Sequence, residues 1–256
     1  NSPVTKIQTA NGVAKAITLA NGTEIAADFI VSNSDASLTY HQLISPEEKR
    51  AKSERKNLAK TQKSLAGFSL LLGLQPSESP EKLNHHTILF PTDYDAEFEA
   101  IFTQKKPVEN PTIYICAPSD PLMVKDAGHE SWFVLVNAPR HDESGQDGFD
   151  WRDENFKHQY ANSIIDQIEA RGIKIRERLD VLEIRTPLDL QESVMAPGGS
   201  IYGTSSNSAS AAFLRTKNRS PIKNLFCVGG STHPGGGLPL VGISAEIVAN
   251  AIGRAR

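Results

Sequence analysis

The sequence lacks most of the features that would indicate metal binding or disulfide stabilisation. Among 256 residues there are only two cysteines, Cys116 and Cys227, and no CxxC pair, so a structural zinc site is not expected. Each cysteine lies in an apolar, strand-like run, which predicts a buried, reduced thiol. The adjacent His85 and His86 are expected to point to opposite faces of a strand, which disfavours a shared metal ion. We therefore predict no metal site.

Several motifs of common enzyme classes are also absent. The chain contains no GxGxxG fingerprint and no Gly-Lys-Ser/Thr loop, and Ser231 lacks the GxSxG context of a hydrolase nucleophile. A net charge of -3 gives no reason to expect nucleic acid as a partner. The longest apolar run, from Leu65 to Leu74, is about half the ~20 residues that a membrane-spanning helix needs. Because the sequence starts without Met in a strand-like segment, we expect it to continue a longer protein.

The patterns that are present predict a mixed α/β chain. Asn11-Gly12 and Asn21-Gly22 suit tight hairpin turns, and Asp28 to Asp35 suits a buried strand. Ser45 to Lys60 suggests a helix capped by Ser45, whose basic face is either simply solvated or apposed to a membrane surface. Further strands and helices are predicted at 64–74, 93–102 (helix), 112–117, 131–139, 151–171 (helix), 173–185 and from Thr186 (helix).

Six of the 18 glycines fall between Gly229 and Gly242. An apolar strand from Asn224 precedes them, and a helix with an apolar stripe of Val241, Ala245, Val248 and Ile252 follows. Glycine lets a ligand approach the main chain, and a helix start offers free N–H groups to electron-rich atoms. From the residues alone, a cofactor-binding turn and a tight structural turn remain equally supported. His233 suits a turn residue better than a catalytic one.

The segment from Gly229 to Ile252 resembles the C-terminal signature of bacterial-type carotenoid (phytoene) desaturases, which are flavin-dependent oxidoreductases. The similarity continues through further blocks in the family's order: Ala27–Ile44, His85–Phe102, Tyr114–Pro139, Thr186–Gly203 and Ala211–Gly230. These blocks extend the resemblance over nearly the whole chain.

The resemblance implies an α/β fold in which part of a Rossmann-like FAD-binding domain carries an inserted α+β substrate-binding domain. Residues 1–34 and 196–256 would belong to the FAD-binding domain and residues 35–195 to the substrate-binding domain. The N-terminal half with its GxGxxG motif would be absent from this chain, so this piece alone is expected to be inactive. The implied cofactor-binding residues surround the glycine cluster: Gly229, Gly230, Gly236, Gly237, Leu238, Pro239, Leu240 and Val241.

The implied function is FAD-dependent desaturation of a carotenoid or apocarotenoid by hydride transfer to flavin. The alternatives are a carotenoid oxidase, ketolase or isomerase of the same family, or a non-catalytic isoprenoid-binding fragment. The implied substrate is a long isoprenoid held in an apolar tunnel. The resemblance also implies that the protein is cytoplasmic and contacts a membrane peripherally. No catalytic proton acceptor is identified, because a role in holding a turn or a sheet end is equally expected for Asp35, Asp189, His233 and Arg215.

Overall fold

The computed structural model describes residues 2–78, 83–124, 126–205 and 215–254. The elements, in chain order, are β1 (Val4–Ala10), β2 (Val13–Leu19), β3 (Glu24–Ala26), β4 (Ile30–Ser32), α1 (Ala36–Leu38), α2 (Lys52–Lys60), β5 (Ala66–Leu74), β6 (His86–Leu89), α3 (Asp95–Phe98), β7 (Ile113–Cys116), β8 (Glu130–Ala138), α4 (Glu154–Ala170), β9 (Leu179–Arg185), α5 (Pro187–Val194), β10 (Leu225–Cys227) and α6 (Leu238–Ile252). Helices and strands are interspersed, so the chain is of mixed α/β type, as predicted.

The chain divides into two compact units. Unit 1 comprises Asn1–Ser64 and Val194–Arg256, and unit 2 is the continuous segment Leu65–Ser193. The second boundary lies close to the one expected near residue 195, whereas the first lies about 30 residues beyond residue 34. The reason is that Leu38, Tyr40 and other side chains up to Leu58 are buried in one cluster with β1 and β10. The assignment of cofactor and substrate to the two units stays a prediction.

Unit 1 contains two small sheets. One has the antiparallel order β1-β2-β3, and its first turn places Asn11 and Gly12 at positive φ, as the Asn-Gly pair predicts. The other pairs β4 with β10 in parallel, matching Ile30 with Leu225 and Ser32 with Cys227. Parallel strands need a crossover between them, and here the intervening chain is almost 200 residues long. The pair therefore joins the beginning and the end of the sequence.

The basic helix of unit 1 begins later than predicted. A 3-10 turn at Lys49–Ala51 precedes α2, and the carboxylate of Glu48 accepts the Arg50 N–H at 3.1 Å. Ser45 is therefore not the helix cap, because its hydroxyl lies 3.4 Å from the Glu47 nitrogen, outside the helix. Pro46 instead lies in a turn before the 3-10 segment, where the Glu48 N–H donates to the Ser45 carbonyl at 3.0 Å, and its own carbonyl accepts a hydrogen bond from Arg55.

Unit 2 is built on a five-stranded antiparallel sheet in the order β6-β7-β8-β5-β9. One face packs against α4, which Asp153 caps through hydrogen bonds from the Asn155 and Phe156 amides. The predicted inner side chains of α4, Ile164, Ile165 and Ile168, are completely buried in this core. Alternate residues of the central strands join them, as the period of two in a half-buried strand requires: Phe68, Leu70, Leu72, Leu74, Trp132, Val134 and Val136.

Two predicted helices differ from their sequence patterns. The segment from Asp93 to Phe102 is helical, but α3 continues as a π-helix over Glu99–Gln104. In α6 the buried side chains are Ser244 and Val248, while Ala245 is exposed. The apolar stripe predicted through Ala245 is therefore displaced, because the helix buries a small hydroxyl that hydrogen-bonds to the preceding turn.

Candidate functional site

The glycine-rich turn, defined here as residues 228–237, connects β10 with α6. Pairing of β10 with β4 continues into the turn, since the Val228 N–H donates to the Ser32 carbonyl at 2.9 Å. Ser231 then accepts the Ala36 N–H at 3.0 Å and so links the turn to α1. The turn thus follows directly from the ends of two parallel strands and leads into the start of a 15-residue helix. This is the arrangement in which α/β sheets bind ligands.

The glycines of this region face two different environments. A Cβ on Gly229 would collide with the Asn33 side chain, and one on Gly236 would overlap the Tyr202 ring. These two glycines therefore allow the protein to pack on itself. By contrast, a Cβ on Gly237 or on Gly242 would meet nothing within 4 Å. Only the latter two positions leave bare backbone next to open space, and Gly237, with φ of 100°, adopts a conformation that favours glycine.

Buried polar side chains hold the turn in place. Arg215 donates hydrogen bonds to the carbonyls of Tyr202 at 2.8 Å and of Gly230 at 3.0 Å. Ser244 of α6 is fully buried and accepts hydrogen bonds from the Asn218 side-chain amide at 2.9 Å and from the Gly229 N–H at 3.2 Å. These contacts satisfy backbone groups that the glycine-rich sequence would otherwise leave buried and unpaired. No sequence pattern singles out Ser244, because the residues that it contacts are remote along the chain.

The start of α6 offers two free backbone donors. Pro239 has no N–H, and the Val241 N–H donates to the Gly237 carbonyl at 2.9 Å. Among the described residues no acceptor is assigned to the amides of Leu238 and Leu240, as expected for the first turn of a helix. The first turn carries no acidic side chain, so its positive dipole end is uncompensated. Of the four residues expected to contact a flavin here, Leu238 and Leu240 are therefore the ones able to donate from the backbone.

These features fit the electron-rich edge of a flavin. The open space beside Gly237 removes the steric barrier that a side chain would impose, and the free amides supply donors. The side chain of Leu238 is 87% exposed, so the helix start is accessible. Contact of Gly229 and Gly236 with the cofactor stays a prediction, while in the structure the absence of their side chains makes room for Asn33 and Tyr202.

The polar residues whose role the sequence analysis did not decide all form hydrogen bonds within the protein. Asp35 caps α1 by accepting the Ser37 N–H at 2.7 Å, and Asp189 accepts the Thr186 N–H at 2.7 Å at the start of α5. The backbone of His233 is bonded to Thr216 and Asn218, while its imidazole is exposed. These contacts support a turn-forming role for each of the three, and we assign none of them as a proton acceptor.

Unit 2 carries a second candidate surface on the sheet face opposite α4. We call it the outer face. It consists of the alternate residues that the core excludes: Gly67, Ser69, Leu71, Gly73, His86, Ile88, Tyr114, Cys116, Ser131, Phe133, Leu135, Asn137, Val181, Glu183 and Arg185. Its apolar side chains include Leu71, Ile88 and Val181, which are 37%, 51% and 53% exposed. Large apolar side chains gathered on an accessible surface commonly mark a binding site.

A cleft opens on this outer face. It has a volume of about 270 Å³, and its apolar lining includes Leu71, Gly73, Val181 and Met123. Its polar lining includes His129, Glu130 and Asp180. Glycine at position 73 matters here, because a Cβ would lie only 3.1 Å from Val181. The neighbouring 3-10 turn Pro121–Met123 projects Leu122, which is 92% exposed. The apolar part of the cleft lining therefore suits a hydrocarbon ligand.

His85, His86 and Cys116 come together at the edge strand of the sheet. One candidate ligand atom from each lies within 4.8 Å of the other two. The expectation that the two histidines would point to opposite faces was wrong. Strand alternation does not apply to them, because β6 begins only at His86, and His85 belongs to the preceding loop. Cys116, which was expected to be buried, is only partly so.

The two thiols differ sharply in environment. Burial raises the pKa of the Cys227 thiol to about 12, with the nearby Tyr40 hydroxyl acting in the opposite direction. Cys227 is therefore a neutral core residue, as the sequence predicted. Both thiols are free.

Among the described helices none is both long and apolar enough to cross a lipid bilayer.

Comparison with known proteins gives consistent relatives. The chain is 38% identical to a 1-hydroxycarotenoid 3,4-desaturase of Flavobacterium sp. (strain P99-3), over 97% of the chain and 49% of the relative. It is 33% identical to a lycopene-forming phytoene desaturase of Paracoccus sp. (strain N81106 / MBIC 01143), with the same coverages. It is 30% identical to a 4,4'-diapolycopene oxygenase of Methylomonas sp., over 98% of the chain and 49% of that protein. The chain thus spans about half the length of the curated relatives it matches.

Among solved structures, the chain is similar to an oxidoreductase from Methanosarcina mazei with a TM-score of 0.55. The sequences are 16% identical, and the similarity covers 96% of this chain and 48% of the other. This likeness shows a shared fold and nothing about chemistry. No protein-family model matches the chain.

Proposed function

Because the chain belongs to the carotenoid (phytoene) desaturase family, we propose that it is part of an FAD-dependent oxidoreductase that introduces double bonds into a carotenoid or apocarotenoid. The observation that carries the proposal is the start of α6, where free amides and glycine backbone lie beside open space. We also propose that a segment preceding Asn1 supplies the rest of the cofactor-binding domain, since the chain spans only 49% of its relatives.

The chain's own contribution to the chemistry is electrostatic. Bound FAD would accept a hydride from the substrate. The amides of Leu238 and Leu240 would donate hydrogen bonds to it, and the positive end of the α6 dipole would favour the extra negative charge that reduction brings. Ser244 and Arg215 hold the turn in which these donors lie, so the amides are oriented before any ligand arrives. Orientation in advance is what makes such donors effective.

We propose that the substrate binds at the outer face of unit 2. A long isoprenoid has no charge to recognise, so its affinity must come from burial of apolar surface. The outer face offers Leu71, Phe133 and Leu135 in neighbouring strands, next to an apolar cleft beside Gly73. An acyclic chain would lie across such strands without any specific polar contact.

Contact with a membrane belongs to the same proposal, because carotenoids dissolve in lipid. The 3-10 turn Pro121–Met123 supports it, since Leu122 projects almost fully into solvent and Met123 lines the cleft. An apolar tip of this kind can enter the boundary of a lipid leaflet. We propose that the protein works in the cytoplasm at such a membrane face and receives its substrate there.

Oxygenation of a carotenoid end is the second candidate function. It is favoured by the 4,4'-diapolycopene oxygenase among the relatives, but the two relatives with higher identity are desaturases. Isomerisation and non-catalytic isoprenoid binding have no such relative among these three. Desaturation is therefore the function that we propose first.

The test uses the protein at its natural length and two substitutions at one exposed site. Leu238→Pro deletes a single amide donor at the first helical position, where proline is well tolerated. Leu238→Ala is the matched control, since it keeps the N–H and removes only a solvent-exposed side chain. We expect a yellow wild-type protein with about one flavin per chain. Loss of one charge-assisted donor should weaken flavin binding or slow flavin reduction by about tenfold in Leu238→Pro, with little change in Leu238→Ala.

Incubation with phytoene or its shorter diapophytoene analogue then identifies the reaction. Desaturation lengthens the conjugated system and moves the absorption to longer wavelength, whereas oxygenation adds the mass of oxygen. A natural-length protein that is folded but never binds flavin would refute the whole proposal. Equal flavin binding and reduction in the proline and alanine variants would refute the role of the Leu238 amide alone.

A further inference from the structure

We propose that His85, His86 and Cys116 form a Zn²⁺-binding site at the edge of the five-stranded sheet. The site is separate from the glycine-rich turn and does not depend on the proposed function. The three residues supply two imidazoles and one thiol, the ligand types that zinc prefers. They are 31 positions apart at most, yet no sequence spacing typical of zinc sites links them.

The register of the sheet brings the ligands together. His86 in β6 pairs directly with Cys116 in β7, so the two side chains are cross-strand neighbours on the outer face. The backbone of His85 is fixed beside the same pair, because its carbonyl accepts the Ala117 N–H at 2.9 Å. The two imidazole rings lie 4.4 Å apart between centroids. Both strands therefore hold their ligand before metal arrives.

The spacing of the ligand atoms needs only a small adjustment. In a tetrahedral zinc site with bonds of about 2.0–2.3 Å, ligand atoms are about 3.5 Å apart. The candidate atoms here already lie within 4.8 Å of one another. Rotation about side-chain torsions is enough to close the difference, since both histidines are exposed and unconfined by core packing. The backbone need not move.

Tyr114 supplies the outer hydrogen bond that a zinc-bound histidine usually makes. Its hydroxyl lies 2.8 Å from Nδ1 of His86. In the tautomer with the proton on Nδ1, this nitrogen donates to the tyrosine oxygen and Nε2 is left to bind the metal. Tyr114 is itself positioned by the sheet, on the same face of β7 as Cys116 and against the Phe133 ring. Tyr114 is thus a positioning residue for His86.

Three protein ligands at an exposed edge leave the fourth position of the ion to water. On binding, the Cys116 thiol loses its proton to solvent and the thiolate forms the bond to Zn²⁺. Two nitrogens and one sulfur suit zinc better than the hard cations Mg²⁺ and Ca²⁺, which prefer oxygen. The site is accordingly expected to select Zn²⁺ over Mg²⁺.

The experiment titrates the full chain with Co²⁺, which reports thiolate coordination and tetrahedral geometry by its absorption, and then displaces it with Zn²⁺. We expect one Co²⁺ per chain with a sulfur charge-transfer band. Cys116→Ser should abolish that band, and His85→Ala should weaken binding at least tenfold. Tyr114→Phe should weaken binding by about tenfold to hundredfold, the range for loss of a hydrogen bond to a metal ligand. Excess Mg²⁺ should not compete.

His158→Ala is the matched control, since His158 is exposed on α4 and is not part of the cluster. It should bind Co²⁺ like the wild type. Thermal unfolding of each apo variant excludes loss of fold as the cause of weaker binding. Absence of a sulfur charge-transfer band in the wild type would overturn the proposal. So would equal weakening by His158→Ala and His85→Ala, which would indicate adventitious binding by surface histidines.

Discussion

The glycine-rich turn of unit 1 and the outer face of unit 2 present opposite kinds of surface. The turn offers backbone: its glycines either make room for Asn33 and Tyr202 or leave the chain bare beside Gly237. The outer face offers side chains, with Leu71, Phe133 and Leu135 in adjacent strands. A backbone surface is suited to a ligand with polar edges, and a side-chain surface is suited to a hydrocarbon. The difference matches the division of labour that we propose between cofactor and substrate.

The largest expected effect is the difference in stability between substitutions on the two faces of the sheet in unit 2. Phe68 is fully buried against Trp151 and Tyr160, with ring centroids 5.5 and 4.9 Å away. We expect Phe68→Ala to lower the free energy of unfolding by about 3–5 kcal/mol, because it leaves a cavity in the core.

Leu71 is the matched control on the outer face of the same strand. Leu71→Ala should cost about 1 kcal/mol or less, since this side chain is 37% exposed. Urea denaturation of both variants measures the difference. Equal losses would mean that the outer face is packed as tightly as the core, and would remove the argument that it is available to a substrate.

A smaller effect is expected within the turn. Gly236→Ala should lower the free energy of unfolding by about 1–3 kcal/mol, because the new methyl group overlaps the Tyr202 ring. Tyr202→Ala should relieve that overlap, so the double variant should be more stable than the sum of the single effects predicts. The measurement is a double-mutant cycle in denaturant. If the two changes in the free energy of unfolding simply add, the Tyr202 ring is not the reason why position 236 requires glycine.

The smallest effect concerns the two thiols, one from each unit. At pH 8 we expect iodoacetamide to modify Cys116 in the folded, metal-free protein and to spare Cys227, whose pKa burial raises to about 12. A raised thiol pKa favours the protonated folded state. The contribution of Cys227 to stability is therefore complete below pH 9 and is lost as the pH rises towards 12.

Peptide mass spectrometry before and after unfolding identifies the labelled thiol, and Cys116→Ser provides a single-thiol control. Reaction of Cys227 at the same rate as Cys116 in the folded protein would contradict the contrast between the two regions.

Local chemistry explains which features could be predicted from the sequence. The Asn-Gly turn at Asn11, the inner face of α4 and the helix start at Pro187 all depend on a few consecutive residues. The glycine-rich turn was predictable for the same reason. The helix start at Ser45 was not, because Glu48 provides a competing cap three residues later.

Features that depend on contacts between distant segments could not be predicted from the sequence. The cluster of His85, His86 and Cys116 arises from the pairing of β6 with β7, and the buried role of Ser244 arises from contact with Asn218. Likewise, the sequence could not reveal that Gly236 faces Tyr202 whereas Gly237 faces open space. Two adjacent glycines therefore differ in role because different distant segments pack beside them.

The parallel pair β4–β10 has a consequence for the order of folding. Contacts across this junction, such as that between Ala36 and Ser231, join residues 195 positions apart. Closing so long a loop carries a large entropic cost until the intervening chain has become compact. We therefore expect the continuous segment Leu65–Ser193 to collapse first and thereby shorten the effective distance between the two flanking segments. The turn beside Gly237 would then be among the last parts of the molecule to acquire its shape.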